Sequence, residues 1–175
     1  MSHRDIVMPE VRKFLDEHNT KGWSMLEIGP GSDVQFKLIF EQEYGITWHG
    51  LDQDPKTFNH DDHQYTMGKM ESMPFPDKLF DFVFSVHSLE HCEKHIDALR
   101  EIKRVGKKYI MIILPYHCQH QVLEGDKDHI NVLTKIQAEK LFKYLEIKKI
   151  DIYEQKEGIK LEQDWNLIAI GKVDL

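Results

Sequence analysis

Met25-Leu26-Glu27-Ile28-Gly29-Pro30-Gly31-Ser32-Asp33 is the stretch on which the reading of this chain turns. Residues 23–28 are short and mostly apolar with an acid near their end, which predicts a strand. Gly29-Pro30-Gly31 can neither extend a strand nor easily begin a helix. Glycine reaches backbone angles that other residues avoid and lets a ligand approach the main chain. Ser32 can then cap a helix, with Gln35 three residues on completing a capping box. Strand, glycine turn and helix N-terminus is the way a doubly wound α/β sheet builds a nucleotide-binding corner.

Before the corner, residues 6–19 read as a helix with Val7, Val11, Phe14 and Leu15 on one face and Pro9 in its first turn. After it, residues 32–43 form a second helix whose expected buried face is Val34, Leu38 and Ile39. Strands are predicted at 46–51, ending on Asp52, and weakly at 64–67. Residues 54–59 read as a short helix or turn, 60–63 as polar loop and 73–77 as a proline-stiffened loop. Residues 79–86 and 108–114 are nearly continuous apolar runs, the pattern of parallel strands covered on both faces. Residues 91–104 predict a helix with Ile96, Leu99 and Ile102 on one side. Thr134 and Gln137 form a second capping box, opening a helix to about Leu145. Residues 116–131 are polar, histidine-rich and aperiodic, hence a long loop. Strands at 147–153 and 165–172, with only a polar segment between them, should pair as an antiparallel hairpin. The alternation of strands and helices elsewhere predicts an α/β fold with a mostly parallel sheet.

The chain has 175 residues, 41% hydrophobic and 30% charged, an ordinary balance for one soluble domain. Its net charge of −7 gives a nucleic-acid partner no overall electrostatic help. Lys143, Lys148 and Lys149 read as a solvated face. Cys92 and Cys118 form no CxxC pair, which suits reduced thiols in a cytoplasmic protein. The first ten residues are too polar for a signal peptide. The longest apolar run, 109–115, is too short to span a bilayer.

Two features sharpen the glycine corner. Asp52 ends the second strand, where a carboxylate would accept hydrogen bonds from ribose hydroxyls and repel a 2′-phosphate. The dinucleotide fingerprint is incomplete, because Val34 stands where a third glycine is expected. A ligand with a ribose and a charged amino-acid tail, and no phosphates, fits that corner better than a dinucleotide.

With Gly50-Leu51-Asp52, the corner resembles that of class I S-adenosylmethionine-dependent methyltransferases. Residues 73–85, MPFPDKLFDFVFS, resemble the family's LPFPDxSFDxVxS segment. Ser88-Leu89-Glu90-His91 matches the xLEH that follows, and residues 99–105, LREIKRV, resemble LREIxRVL. The likeness covers residues 25–115, in order, and is strongest to the small-molecule branch similar to ubiquinone- and menaquinone-pathway enzymes, the methyltransferase type 11 domain. It implies a Rossmann-like, doubly wound sheet of seven strands, order 3-2-1-4-5-7-6 with the last antiparallel, and helices on both faces. It implies one domain over 1–175: an N-terminal helix to residue 22, a cofactor-binding half over 23–115, and a substrate-side loop, helix and hairpin over 116–175.

The resemblance also implies roles. Glu27 and the main chain of Gly29, Pro30 and Gly31 would lie along the methionine part of the cofactor. Asp52 would bind the ribose and Gln53 would pack beside the adenine. Where the family has an acid followed by a small residue to hold the adenine amino group, this chain has Lys69 and Met70. Lysine cannot accept that hydrogen bond, although Met70 retains its main-chain amide. Ser85 and His87 would follow the fourth strand, next to the methyl group.

Methyl transfer from a sulfonium depends chiefly on alignment, and many acceptors need no base. If a base serves here, His87, His117 and His129 are the candidates, with Tyr116 and His120 from the same loop. His117, Cys118, His120, Asp128 and His129 lack a second compact ligand pair, so no metal is expected. Ser-Val-His-Ser after the fourth strand differs from the Asn-Pro-Pro-Tyr of amino-group nucleic-acid methyltransferases. The expected protein is thus a cytoplasmic methyltransferase that converts S-adenosylmethionine to S-adenosylhomocysteine on a small-molecule acceptor, with no nucleic-acid or membrane partner. Its pocket is open or completed by a second subunit of a homodimer. Two rivals stand beside this reading: a degenerate, non-catalytic partner protein of the same fold, and a nicotinamide-dependent oxidoreductase.

Overall fold

The apolar runs of the sequence become the middle of a seven-stranded sheet. A computed structural model describes residues 3–32, 35–54, 56, 64–115, 133–156 and 165–173. In chain order the elements are α1 (His3–Asp16), β1 (Ser24–Ile28), α2 (Gln35–Gln42), β2 (Thr47–Asp52), β3 (Tyr65–Met67), β4 (Phe80–Val86), a 3-10 turn (Leu89–His91), α3 (His95–Val105), β5 (Gly106–Pro115), α4 (Lys135–Tyr144), β6 (Lys148–Lys156) and β7 (Trp165–Lys172).

The strand order is β3-β2-β1-β4-β5-β7-β6, as the resemblance implies. β1 pairs in parallel with β2 and β4, β2 with β3, and β4 with β5. β7 runs antiparallel to both β5 and β6. The chain therefore winds outward in opposite directions from β1 and β4. The crevice at their C-terminal ends is the place where such sheets bind ligands.

Period-two alternation splits the strand residues between two layers. Leu26, Ile28, Leu51, Val83, Ile110, Ile112 and Leu114 face a core closed by Leu99 and Ile102 of α3 and by Ala138 and Phe142 of α4. Met25, Trp48, Phe82, Phe84, Met111 and Ile113 face a second core closed by α1 and α2. No described helix is long and apolar enough to cross a membrane.

Several local expectations need correction. α1 begins at His3, so Pro9 lies inside the helix and not in its first turn. A proline there costs roughly 3 kcal/mol. Val7, Val11, Phe14 and Leu15 are all buried, at about 1.5–3 kcal/mol each, so packing outweighs the defect. The helix stops at Asp16, where the His18 ring folds back to Phe14 O at 2.7 Å. The buried face of α2 is Phe36 and Phe40, whereas Leu38 is exposed and Ile39 only partly buried. Phe36 and Phe40 each meet Phe84 edge-on, at 5.1 and 5.4 Å. Val34 lies outside the described residues, and the box between Ser32 and Gln35 spans them. The helix expected from His91 starts at His95, after the 3-10 turn. Ile96, in its first turn, is exposed, and Ala98, Leu99, Ile102 and Val105 carry its buried face. The Thr134 box forms as the spacing predicts: Gln137 N donates to Thr134 Oγ1 at 3.3 Å and Thr134 N to Gln137 Oε1 at 2.8 Å. The loops expected at 60–63 and 116–131, and nearly all of the turn expected at 54–59, lie outside the described residues.

Candidate functional site

A cleft of about 630 Å³ opens at the C-terminal ends of β1, β2 and β4, within the size range of small-molecule sites. Its floor includes Ile28, Gly29 and Leu51, and Asp52 and Gln53 stand at one side. Gly68, Lys69, Met70 and Glu71 form one wall, and His87, Ser88, His91 and Cys92 line another part.

The corner after β1 is built by two glycines in the left-handed region. Gly29 has φ +69° and Gly31 φ +63°. A β-carbon on Gly29 would sit 2.2 Å from Ser88 Oγ, so no larger residue fits there unchanged. Ser88 is itself buried, with Oγ 3.1 Å from Ile28 O, which ties the end of β4 to the end of β1. Gly29 N donates to Leu51 O at 2.8 Å, tying the same turn to β2.

Asp52 is fixed by main-chain amides on both sides. Gly31 N donates to its Oδ2 at 3.0 Å and Asp54 N to its Oδ1 at 2.9 Å. A carboxylate offers about four lone-pair directions. Among the described residues two are taken, one on each oxygen.

The remaining residues named from sequence are distributed as follows. Glu27 does not line the cleft: it is 2% exposed and its Oε2 accepts from Trp48 Nε1 at 2.7 Å. Pro30 is buried in the turn. Ser85 is also outside the cleft lining, buried at 1% exposure, and its Oγ has no hydrogen-bond partner among the described residues. Lys69 and Met70 both line the wall, with Lys69 exposed. His87 lines the cleft in a left-handed backbone conformation, φ +48°. Its Nε2 donates to Oδ1 of buried Asn166 at 2.7 Å, joining the end of β4 to β7. Tyr116, His117, Cys118, His120, Asp128 and His129 lie outside the described residues. Among the described residues, no group of three or more His, Cys, Asp and Glu side chains could hold a metal.

The turn from Ser85 to His91, expected from sequence as a pocket wall, brings Ser88 and His91 to the cleft, whereas sequence reading missed Glu71, Cys92, Glu93 and Lys94. Glu71 could have been found, since it stands two positions after Lys69 and restores an acid to that wall. Cys92 Sγ donates to Glu71 Oε2 at 3.7 Å within the cleft lining. Burial, and then the neighbouring Glu71 charge, push the Cys92 thiol up. Next to it, Glu90 is 0% exposed. Burial pushes its carboxyl up to about 7, against the weaker pull of the His91 ring 3.8 Å away.

This sheet order, with a crevice at the C-terminal ends of β1, β2 and β4, defines a Rossmann-like methyltransferase fold. The methyltransferase domain family matches residues 26–113, just over half of the 175 residues, and the chain belongs to it. S-adenosylmethionine is the cofactor that this assignment brings. Ajmaline N-methyltransferase of Rauvolfia serpentina is 27% identical over 126 residues, which is 66% of this chain and 43% of that protein. The chain therefore spans less than half the length of that curated relative. A SAM dependent methyltransferase from Archaeoglobus fulgidus is similar at TM-score 0.71 and 17% identity, covering 97% of this chain and 94% of that one. Another from Aquifex aeolicus is similar at TM-score 0.69 and 16% identity, covering 95% and 89%. At those identities the likeness is one of fold. The cleft residues fit the cofactor: a carboxylate at the end of β2 held in place by two amides, and a wall carrying the Glu71 carboxylate.

Proposed function

We propose that this protein transfers the methyl group of S-adenosylmethionine to a small-molecule acceptor. The observation that carries the reading is Asp52, held at the end of β2 by two amides that are its donors among the described residues. Asp52 would hold the ribose, and Gln53 would pack beside the nucleobase. Gly29, Pro30 and Gly31 would give main chain to the amino-acid tail. Met70 and Glu71 would hold the nucleobase edge, with Lys69 beside them. Glu27 and Ser85 support this corner from within the core.

When bound, S-adenosylmethionine supplies a methyl group on a positively charged sulfur. The protein's part is to orient an acceptor towards it and to exclude water. His87 is placed for a further task. Lining the cleft at the end of β4, its ring would take a proton from an acceptor whose methylation releases one. His117 and His129 remain candidates for the same step.

The curated relative carries a small-molecule N-methyltransferase name, which supports a small-molecule acceptor and a net charge of −7 supports the exclusion of nucleic acid. We read the chain as a single cytoplasmic domain, acting alone or as a homodimer. The family match does not favour the partner-protein or nicotinamide readings.

The test is a methyl-transfer screen with isotopically labelled S-adenosylmethionine and a panel of small amines, phenols, thiols and carboxylic acids. The reading predicts labelled product from at least one class, with stoichiometric S-adenosylhomocysteine. Binding of the cofactor with no turnover on any class would move the assignment to a non-catalytic member of the family.

A further inference from the structure

Residues 73–77 contain neither helix nor strand, yet they are held by an unusually complete set of bonds from α3. Arg104 Nε donates to Glu101 Oε1 at 2.6 Å, and its Nη2 donates to Glu101 Oε2 at 2.8 Å and to Met73 O at 3.1 Å. Its Nη1 donates to Phe75 O at 2.7 Å and to Asp77 Oδ1 at 2.8 Å. A guanidinium has five N–H groups, and here each has an acceptor. Glu101 Oε2 also accepts from Met73 N at 2.7 Å, and Arg104 O accepts from Lys78 N at 2.8 Å. The hydrogen bonds from Arg104 hold the Glu101 carboxyl below its usual range, so the pair stays charged. Phe75 adds an apolar anchor, edge-on to His49 at 5.4 Å and to Phe80 at 5.0 Å.

Neither Arg104 nor Glu101 lines the cleft, but the segment they grip runs straight into it. Lys69 and Ser72 form an antiparallel bridge, with Ser72 N donating to Lys69 O at 3.1 Å. The tight turn between them presents Met70 and Glu71 to the cleft. At its other end Gly68 N donates to Asp52 O at 2.9 Å. The wall is thus strung between the ribose acid and the Arg104 clamp.

We infer that Arg104 and Glu101 are positioning residues for cofactor binding: by fixing residues 73–77 they set where Lys69, Met70 and Glu71 stand against the nucleoside. The inference rests on the reading of the cleft as the S-adenosylmethionine site. Charge alone does not do this work. A lysine at 104 keeps the charge, but its three donors on one nitrogen cannot reach Met73 O, Phe75 O and Asp77 together.

The test is isothermal titration of wild type, Arg104→Lys and Glu101→Gln with S-adenosylhomocysteine and with 5′-methylthioadenosine, the nucleoside fragment without the amino-acid tail. Thermal melts by circular dichroism fix a temperature at which each variant is folded. Arg104→Lys should lose at least about tenfold in affinity, and by a similar factor for both ligands, because the displaced wall faces the part they share. Glu101→Gln, which keeps an acceptor for Met73 N, should lose less in the same proportion, and it decides the matter if Arg104→Lys does not fold. Variants that melt earlier but bind both ligands as wild type does would reduce the clamp to a stabilising contact and overturn the inference. A loss confined to S-adenosylhomocysteine would also overturn it, by placing the effect at the amino-acid end. Wild type that binds neither ligand would overturn the reading of the cleft and the inference with it.

Discussion

Asp52 Oδ2 accepts the Gly31 amide at 3.0 Å, which joins the turn after β1 to the end of β2 across 21 positions of sequence. The bond explains why the glycine corner and the acid belong together: each fixes the other's place before any ligand arrives. Replacing Asp52 with alanine removes both the proposed ribose acceptor and the partner of that amide. Affinity for S-adenosylhomocysteine should fall by about 1–3 kcal/mol, the scale of hydrogen bonds to a charged group. Calorimetry that returns wild-type affinity would remove Asp52 from the site.

Gly29 and Ser88 are a second interlocked pair. A β-carbon at Gly29 would meet Ser88 Oγ at 2.2 Å and Ser88 Cβ at 2.7 Å, at a φ of +69° that side chains resist. Gly29→Ala should therefore destabilise the fold by about 1–3 kcal/mol and weaken cofactor binding. Ser88→Gly in the same chain should recover part of that loss, because it removes the clash and leaves only the backbone strain. Denaturant unfolding of the two single variants and the double variant measures the coupling. Strictly additive effects would contradict it.

On the wall proposed to face the nucleobase, the acid is Glu71, since position 69 is lysine. Glu71→Gln should weaken S-adenosylhomocysteine several-fold, whereas Lys69→Ala should leave it near wild type. The reverse pattern in parallel titrations would assign the nucleobase contact to Lys69.

Glu90 predicts a pH dependence of stability. The folded state holds its proton up to about 7, because burial penalises the anion, while the unfolded carboxyl releases it near 4.5. The proton-bound folded state is thus favoured fully below the unfolded value, and the advantage is lost as pH rises through the folded one. Relative to Glu90→Gln, wild type should lose roughly 3 kcal/mol between about pH 4.5 and pH 7.5. Urea unfolding at the two ends of this window checks it. A difference between the two proteins that does not change with pH would show that Glu90 stays ionised in the fold.

Much of this architecture is written in local pattern. The runs at β4 and β5 are apolar on both faces, which only a covered parallel strand requires, and the Thr134 box announces α4 within four residues. α2 was harder, because Leu38 and Ile39 compete with Phe36 and Phe40 for the core, and the larger rings win by packing against Phe84. The segment after β4 was harder still. Helical periodicity from His91 finds Leu99 and Ile102 but starts the helix too early and adds the exposed Ile96, since the chain makes a 3-10 turn and an extended residue at Cys92 before α3 begins. His91, Cys92, Glu93 and Lys94 reach the cleft through that break. Glu27 misled for a different reason: its position in the motif suggested a ligand contact, but its partner is the indole of Trp48, a long-range contact that no local pattern shows.

The central claim is that this cleft binds S-adenosylmethionine. Isothermal titration of the wild-type protein with S-adenosylmethionine, S-adenosylhomocysteine and NAD, in parallel, tests it most directly. The account predicts saturable binding of both sulfur ligands in the micromolar range, and no heat from NAD. Binding of NAD in preference to either, or of none of the three, would contradict it.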